Sequence, residues 1–222
     1  MKRIKTEIII IGAMVVLLIG QYFFNNASGT NCVHCIYMPN NNSEYTGYYV
    51  NEARDTTFYK INLISSSKGF LLQKKLKYIV TRLKDKNATS GDYTSESTTG
   101  FTEDSNRIWL HPPRADKFKY ITQLAPYPEV LFPMTPGDTI KGKIHMVANW
   151  GQWSGKSSEY YLTVADTLLD KRNNETRYIL KGCGHILNDI SCVEYLFSLS
   201  KGFINAHYSF NGKEHFYMEL KE

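Results

Sequence analysis

Beyond its first two dozen residues, the chain alternates apolar and polar positions with a period of two. Tyr59, Ile61 and Leu63 are separated by polar side chains, and Ile140, Gly142, Ile144 and Met146 alternate with Lys141, Lys143 and His145. Tyr160, Leu162 and Val164 make a third set, and Val193, Tyr195, Phe197 and Leu199 a fourth, opposed by Glu194 and Ser198. Ile204, Ala206, Tyr208 and Phe210 then meet Phe216, Met218 and Leu220 across Asn211-Gly212. Such a period sends successive side chains to opposite faces, so each run predicts a half-buried strand. Asn and Gly both accept the positive φ of a tight hairpin turn, which predicts pairing of Phe203–Phe210 with Glu214–Leu220.

Two stretches are less direct. Leu72, Leu76, Ile79, Val80 and Leu83 fit a helical stripe, while Leu76, Tyr78 and Val80 fit a strand. Gly69 just before the run and the β-rich surroundings favour the strand. Ser90 to Asn106 is polar and punctuated by Gly91 and Gly100, and is expected to form a loop or a loose hairpin. Residues 25–47, with the run Asn40-Asn-Asn-Ser43, read as a polar linker, leaving 48–222 as one β-rich domain.

The first 24 residues have another pattern altogether. Lys2, Arg3 and Lys5 precede an uncharged apolar run from Ile8 to Gly20, and Tyr22, Phe23 and Phe24 close it. This is the layout of an export signal, whose positive charges stay on the cytoplasmic side. Ala27-Ser28-Gly29 offers small residues for cleavage before Thr30. A helix from Ile8 to Phe24 would also span about 25 Å, close to a bilayer core of about 30 Å. Two outcomes follow: a periplasmic or secreted protein if the segment is cut, or an inner-membrane single-pass anchor with the domain outside the cytoplasm. Asn31 before Cys32 argues against a lipoprotein.

Composition adds to this picture. Aromatics reach 14% of 222 residues, with 16 Tyr, which suits pleated, half-buried surfaces. The formal net charge is +5, of which the N-terminal segment supplies +2. The remaining excess is spread along the chain. Lys74, Lys75, Lys77, Arg82, Lys84 and Lys86 are best read as a solvated face, and no nucleic-acid partner is expected.

The segment Asn106-Arg-Ile-Trp-Leu-His-Pro-Pro-Arg114 resembles one found mid-chain in uncharacterised extracytoplasmic proteins of Bacteroidetes-type bacteria. Pro126 to Gly137 is similar to their Pro-rich lead into a strand, Trp150-Gly-Gln-Trp153 to a short aromatic loop, and Lys201-Gly-Phe203 with Tyr208 and Asn211-Gly212 to their closing hairpin. The resemblance covers roughly residues 56–220. It implies an all-β domain with an antiparallel, curved sheet, an open half-barrel or barrel-like. It implies no activity and no functional residues. Asp55-Thr56-Thr57, Asp138-Thr139-Ile140 and Asp166-Thr167-Leu168 are similar to the O-glycosylation acceptor of such bacteria, which makes Thr56, Thr139 and Thr167 candidate glycan carriers.

Candidate chemistry is sparse. Four cysteines in an exported chain point to disulfides, and proximity favours Cys183 with Cys192. Cys32-Val-His-Cys35 has the spacing of a thiol–disulfide enzyme, but no βαβ pattern follows it. Ile36 stands where haem attachment needs His, and Cys183 and Cys192 are spaced too widely for a zinc knuckle. The six histidines form no metal-ligating pair. His185, beside Asp189, is the one with a candidate partner. Trp150 and Trp153 share a Gly-containing turn and are candidates to stack on a ligand, whereas Trp109 reads as core. His111 and Arg114, flanking Pro112-Pro113, fit either an anion site or a structural salt bridge.

The expectation is a non-catalytic envelope protein, without cofactor or metal, whose sheet binds a hydrophobic or glycan ligand or an envelope partner. The rivals are a membrane-tethered thiol–disulfide oxidoreductase using Cys32 and Cys35, and a structural or assembly subunit. A reactive thiolate needs a helix N-terminus or a nearby cation, and the Asn-rich segment promises neither. Both thiols should therefore alkylate at ordinary rates, or sit in a passive bridge. Alkylation of the reduced protein from pH 4 to 9 tests this: a thiolate persisting below about pH 6 and lost in Cys32→Ser would promote the redox rival.

Overall fold

The computed structural model describes residues 36–37, 42–66 and 73–221; residues 1–24, read above as an export signal, lie outside them, as do Cys32 and Cys35. The period-2 runs pair into a single twelve-stranded antiparallel sheet. In chain order the strands are β1 (Asn42–Val50), β2 (Thr56–Ser66), β3 (Lys74–Leu83), β4 (Gly91–Glu103), β5 (Arg107–Leu110), β6 (Glu129–Leu131), β7 (Thr139–His145), β8 (Ser157–Asp170), β9 (Glu175–Ile186), β10 (Asp189–Ser198), β11 (Gly202–Phe210) and β12 (Glu214–Leu220). Across the sheet they run β6-β5-β4-β3-β2-β1-β12-β11-β10-β9-β8-β7. Two meanders therefore meet where β1 pairs with β12, with Tyr48 opposite Tyr217.

That order puts consecutive strands β6 and β7 at opposite edges, joined only by residues 132–138. The eight Cα–Cα steps from Leu131 to Thr139 span at most about 28 Å. In a flat sheet, eleven inter-strand steps of about 4.8 Å would separate the edges by roughly 53 Å. The sheet must curl until its edges come within reach. It stops short of a barrel, because β6 and β7 share no ladder among the described residues. The all-β, curved, open half-barrel architecture is thus what the fold adopts.

What fills the curl is the insertion between β5 and β6, residues 111–128. It contains a 3-10 turn, Asp116–Phe118, and the short helix α1 (Lys119–Leu124). Phe118 stacks on Phe216 with ring centroids 3.9 Å apart, and the edge of Tyr59 closes on Phe118 at 5.1 Å. Because the segment is irregular, its buried carbonyls need partners from the sheet. Ser191 Oγ donates to Ile121 O (2.8 Å), Tyr195 OH to Pro126 O (2.8 Å) and Tyr78 OH to His111 O (2.8 Å). Gly184 on β9 is required here, since a Cβ would lie 2.0 Å from Leu124 O. The inward positions of both meanders, among them Ile61, Val80, Phe101, Leu162, Leu180, Val193 and Phe197, form one continuous core.

Most strand runs and the closing hairpin sit as the pattern predicts. Phe210 pairs with Glu214, Lys213 N donates to Phe210 O (2.9 Å), and Asn211 and Gly212 both have positive φ. β3 is a strand with Leu76, Tyr78 and Val80 buried. Three expectations need correction. Ser90–Asn106 is mostly β4, thirteen residues long: its inward positions Ser95, Ser97 and Thr99 are small and polar, so no apolar alternation marks it until Phe101. The segment read as linker contains the start of β1, and Tyr37 before it is fully buried, with the Tyr37 and Ile36 amides donating to Glu103 Oε1 (2.9 and 2.7 Å). Trp109 points away from buried Ile108 and Leu110 and is half-buried on the opposite face.

Cys183 and Cys192 are register partners on β9 and β10, and they are disulfide-bonded with Cα atoms 3.9 Å apart. Their side chains lie on the outer face, away from the core. The bond restrains the unfolded chain more than it fills space. Replacing both with Ala should lower the unfolding free energy by about 2–3 kcal/mol, the loop-closure value for a separation of nine. Urea denaturation of the variant checks this, and a loss near zero would mean that strand pairing alone holds the ends together.

Candidate functional site

Antiparallel order places the turns after β1, β3, β7, β9 and β11 on one rim, here the upper one. The start of β1 and the 132–138 connection lie on the lower rim. At the upper rim the β7–β8 loop makes a 3-10 turn, Gly151–Trp153, against α1. Tyr120 meets Trp150 and Trp153 edge to face, at 5.8 and 5.3 Å, and Trp153 packs on Phe210 at 6.2 Å. These rings, with Lys117, Gln152, Asp189 and Glu214, line an open recess of about 540 Å³.

Its polar groups are ordered by one another. Asp189 Oδ2 accepts from Trp153 Nε1 (2.8 Å) and Gln152 Nε2 (3.0 Å), and Asn211 Nδ2 donates to Oδ1 (3.1 Å). Tyr49 OH donates to Glu214 Oε2 at 2.7 Å, which together with burial lifts the Tyr49 phenol well above its ordinary range. Trp150 and Trp153 are thus brought into one site, although Trp153 is buried and the aromatic surface comes from Tyr120, Trp150 and part of Phe210. Tyr120, Phe210, Lys117 and Glu214 come from distant segments, and no local pattern announces them.

His111 and Arg114 lie elsewhere, beside Trp109 at the end of β5, where the His111 ring meets Trp109 at 4.6 Å and Tyr127 at 5.2 Å. The expected salt bridge is not what forms. Arg114 Nη2 is bonded to His111 Nδ1 and donates to Tyr127 OH (2.9 Å), and the guanidinium lies over the Tyr127 ring at 5.3 Å. No carboxylate pairs with Arg114 among the described residues. Gln123 Nε2 donates to the same Tyr127 hydroxyl at 2.9 Å. Burial, with the Arg114 charge adding to it, pushes the His111 pKa down to about 4, so its ring is neutral and accepts from Arg114. Next to it, Arg107 pairs with the nearly buried Glu129 at 2.7 Å, and desolvation raises the Glu129 pKa against that pairing. This cluster ties the insertion down.

His185 points outward from β9, opposite Ile190, and not toward Asp189, whose oxygens are already taken. Thr56 and Thr139 are exposed at the starts of β2 and β7; Thr167 is half-exposed on β8. A second depression, about 700 Å³, lies on the outer face over β1, β2, β11 and β12. Tyr48, Tyr217 and His207 stand there in one transverse row, with centroid spacings of 4.5 and 4.1 Å and nearly parallel planes. Those spacings are close to the strand separation, so the rings stand upright and cover each other's faces, leaving edges outward. Edge-to-face contacts, as at Tyr120, leave a ring face free on one member of each pair.

Among solved structures, the chain is similar to a presumed exported protein of YmcC-like fold from Bacteroides fragilis. The identity is 11%, with 83% of this chain and 97% of that chain covered and a TM-score of 0.42. No family model and no curated protein matches the sequence.

The His111 cluster carries a pH signature. Folding holds its pKa near 4 against about 6.5 unfolded, so the unfolded chain binds the proton first as pH falls. The stabilisation from the neutral ring is complete above pH 6.5 and is lost between about 6.5 and 4, by up to about 3 kcal/mol. His111→Gln keeps an acceptor for Arg114 and should flatten that part of the stability–pH curve. Equal slopes in the two proteins, measured by urea unfolding at pH 7 and 4.5, would refute the assignment.

Proposed function

We propose that the protein is a non-catalytic binding domain of the cell envelope that holds a glycan in the upper-rim recess. The observation that carries the ligand class is the convergence of Tyr120, Trp150 and Trp153 with Gln152, Lys117, Asp189 and Glu214 around an open space of about 540 Å³. A sugar has apolar C–H faces that stack on aromatic rings and hydroxyls that bond carboxylates, amides and ammonium groups. A purely hydrophobic ligand would take these polar side chains out of water without replacing the hydrogen bonds that water adds to those they make with one another. Export is supported by the basic start and apolar run of residues 1–24, and by the Cys183–Cys192 bond, since disulfides persist in oxidising compartments. A non-catalytic role is supported by His111, whose ring is engaged with Arg114 and not with a nucleophile.

Titration with neutral and acidic oligosaccharides, read by tryptophan fluorescence, tests this reading. Saturable quenching is expected, weakened by about tenfold or more in Trp150→Ala, because aromatic anchors carry a large share of such affinities. Silence across a broad oligosaccharide array, or equal binding by the variant, would remove the glycan assignment.

A further inference from the structure

The upper rim ends in side chains that turn chemistry does not call for. Val147 in the β7–β8 loop is 64% exposed, Leu187 at the tip of the β9–β10 hairpin 55%, and Ile190 behind it 43%. Leu187 has φ 56°, a left-handed position that Gly or Asn normally fills. A leucine there accepts a conformational cost and then spends its side chain on water.

These loops are not loose. Gln152 and Trp153 from one loop both bond to Asp189 at the base of the other, and Asn211 of the neighbouring hairpin bonds the remaining oxygen. The clamp fixes an apolar ridge toward solvent and occupies both oxygens of the carboxylate at its centre. Glu214, the other acid of the recess, is engaged by Tyr49. Lys117, Lys119 and Lys156 surround the ridge, all exposed and without an acidic side chain in ion-pair range among the described residues. Tyr120, 36% exposed and lying under the Lys119 ammonium, and Trp150 sit between ridge and cations.

Projecting aliphatic tips, amphipathic rings one layer behind, and cations with no acid to meet are the arrangement that a charged lipid–water boundary selects. We propose that this rim docks on an anionic lipid surface. The tips enter the boundary between headgroups and acyl chains, and Lys117, Lys119 and Lys156 meet the phosphates. A flat protein partner fits less well, because the apolar groups project from separate loops and do not form one even patch. β1 starts at the lower rim, about 30 Å away for nine residues of strand. The described chain therefore enters the domain at the end opposite the docking rim. The proposal goes beyond the glycan reading and stands without it.

The full chain, held in phosphatidylcholine nanodiscs through its N-terminal segment, is mixed with vesicles and floated on a density gradient. Co-flotation is expected with vesicles of equal parts phosphatidylcholine and phosphatidylglycerol, and about tenfold less with phosphatidylcholine alone. Val147→Asn combined with Leu187→Asn should reduce it by about tenfold or more, with an unchanged circular dichroism spectrum. Lys119→Gln combined with Lys156→Gln, which leaves the tips in place, should lose the preference for phosphatidylglycerol. Absence of co-flotation by the wild-type chain, or co-flotation untouched by both variants, overturns the proposal. So does a concentration-dependent dimer that the tip variant abolishes while neither protein floats, which would make the ridge a contact between two copies. Loss of oligosaccharide quenching with flotation intact would remove the recess reading alone.

Discussion

The seven residues between β6 and β7 constrain everything else in this fold. They join the two edges of a twelve-stranded sheet, and a chain that short cannot bridge a flat one. Curling brings the two meanders' inner faces together, so that Phe101 and Ile108 from one share a core with Leu162 and Leu180 from the other. A sheet that curls without closing leaves an interior to be filled and two edges to be managed. The insertion at residues 111–128 fills the interior. The edges are handled by brevity at β6, three residues long, and by Lys141 and Lys143 on β7, charges that discourage pairing with another chain.

Irregular backbone inside a core brings its own requirement. Every carbonyl of the insertion that leaves water needs a donor, and tyrosines supply two, Tyr78 to His111 O and Tyr195 to Pro126 O, while Tyr45 does the same for Phe203 O on β11. This is a physical reason for so many tyrosines in the core rather than phenylalanines. A buried phenol fills volume like Phe and also satisfies a polar partner. The neutral His111 follows the same logic, since an imidazolium beside Arg114 in a poorly hydrated site would repel it.

Strands with a polar outer face were legible in the sequence because burial on one side writes a period of two into it. The hairpin at Asn211-Gly212 was legible because its turn demands residues that few others can replace. β4 escaped for the converse reason: its inward side chains are Ser95, Ser97 and Thr99, at the margin where the core thins, so both of its faces read as polar. Cys183 and Cys192 could be paired by proximity, and their facing positions on neighbouring strands agree. The recess was half legible. Trp150 and Trp153 stood out as rare residues in a glycine-rich turn, but Tyr120, Phe210 and Glu214 belong to it only through the curl, which brings α1 and the closing hairpin under the β7–β8 loop.

The same geometry separates the two ends of the domain by role. At the lower rim the chain enters, Tyr37 is buried, and the connection that enforces the curl passes between the edges. Change there is felt by the core. At the upper rim the turns lie outside the ladder, and Val147 and Leu187 on them face solvent. Asp189 shows how such a rim is made rigid without a larger core. One carboxylate, held by Gln152, Trp153 and Asn211, joins the β7–β8 loop to two hairpins. Because the carboxylate and its donors come from three connections, shifting any one of them disturbs the positions of the other two. The recess and the apolar ridge are therefore held by the same few bonds.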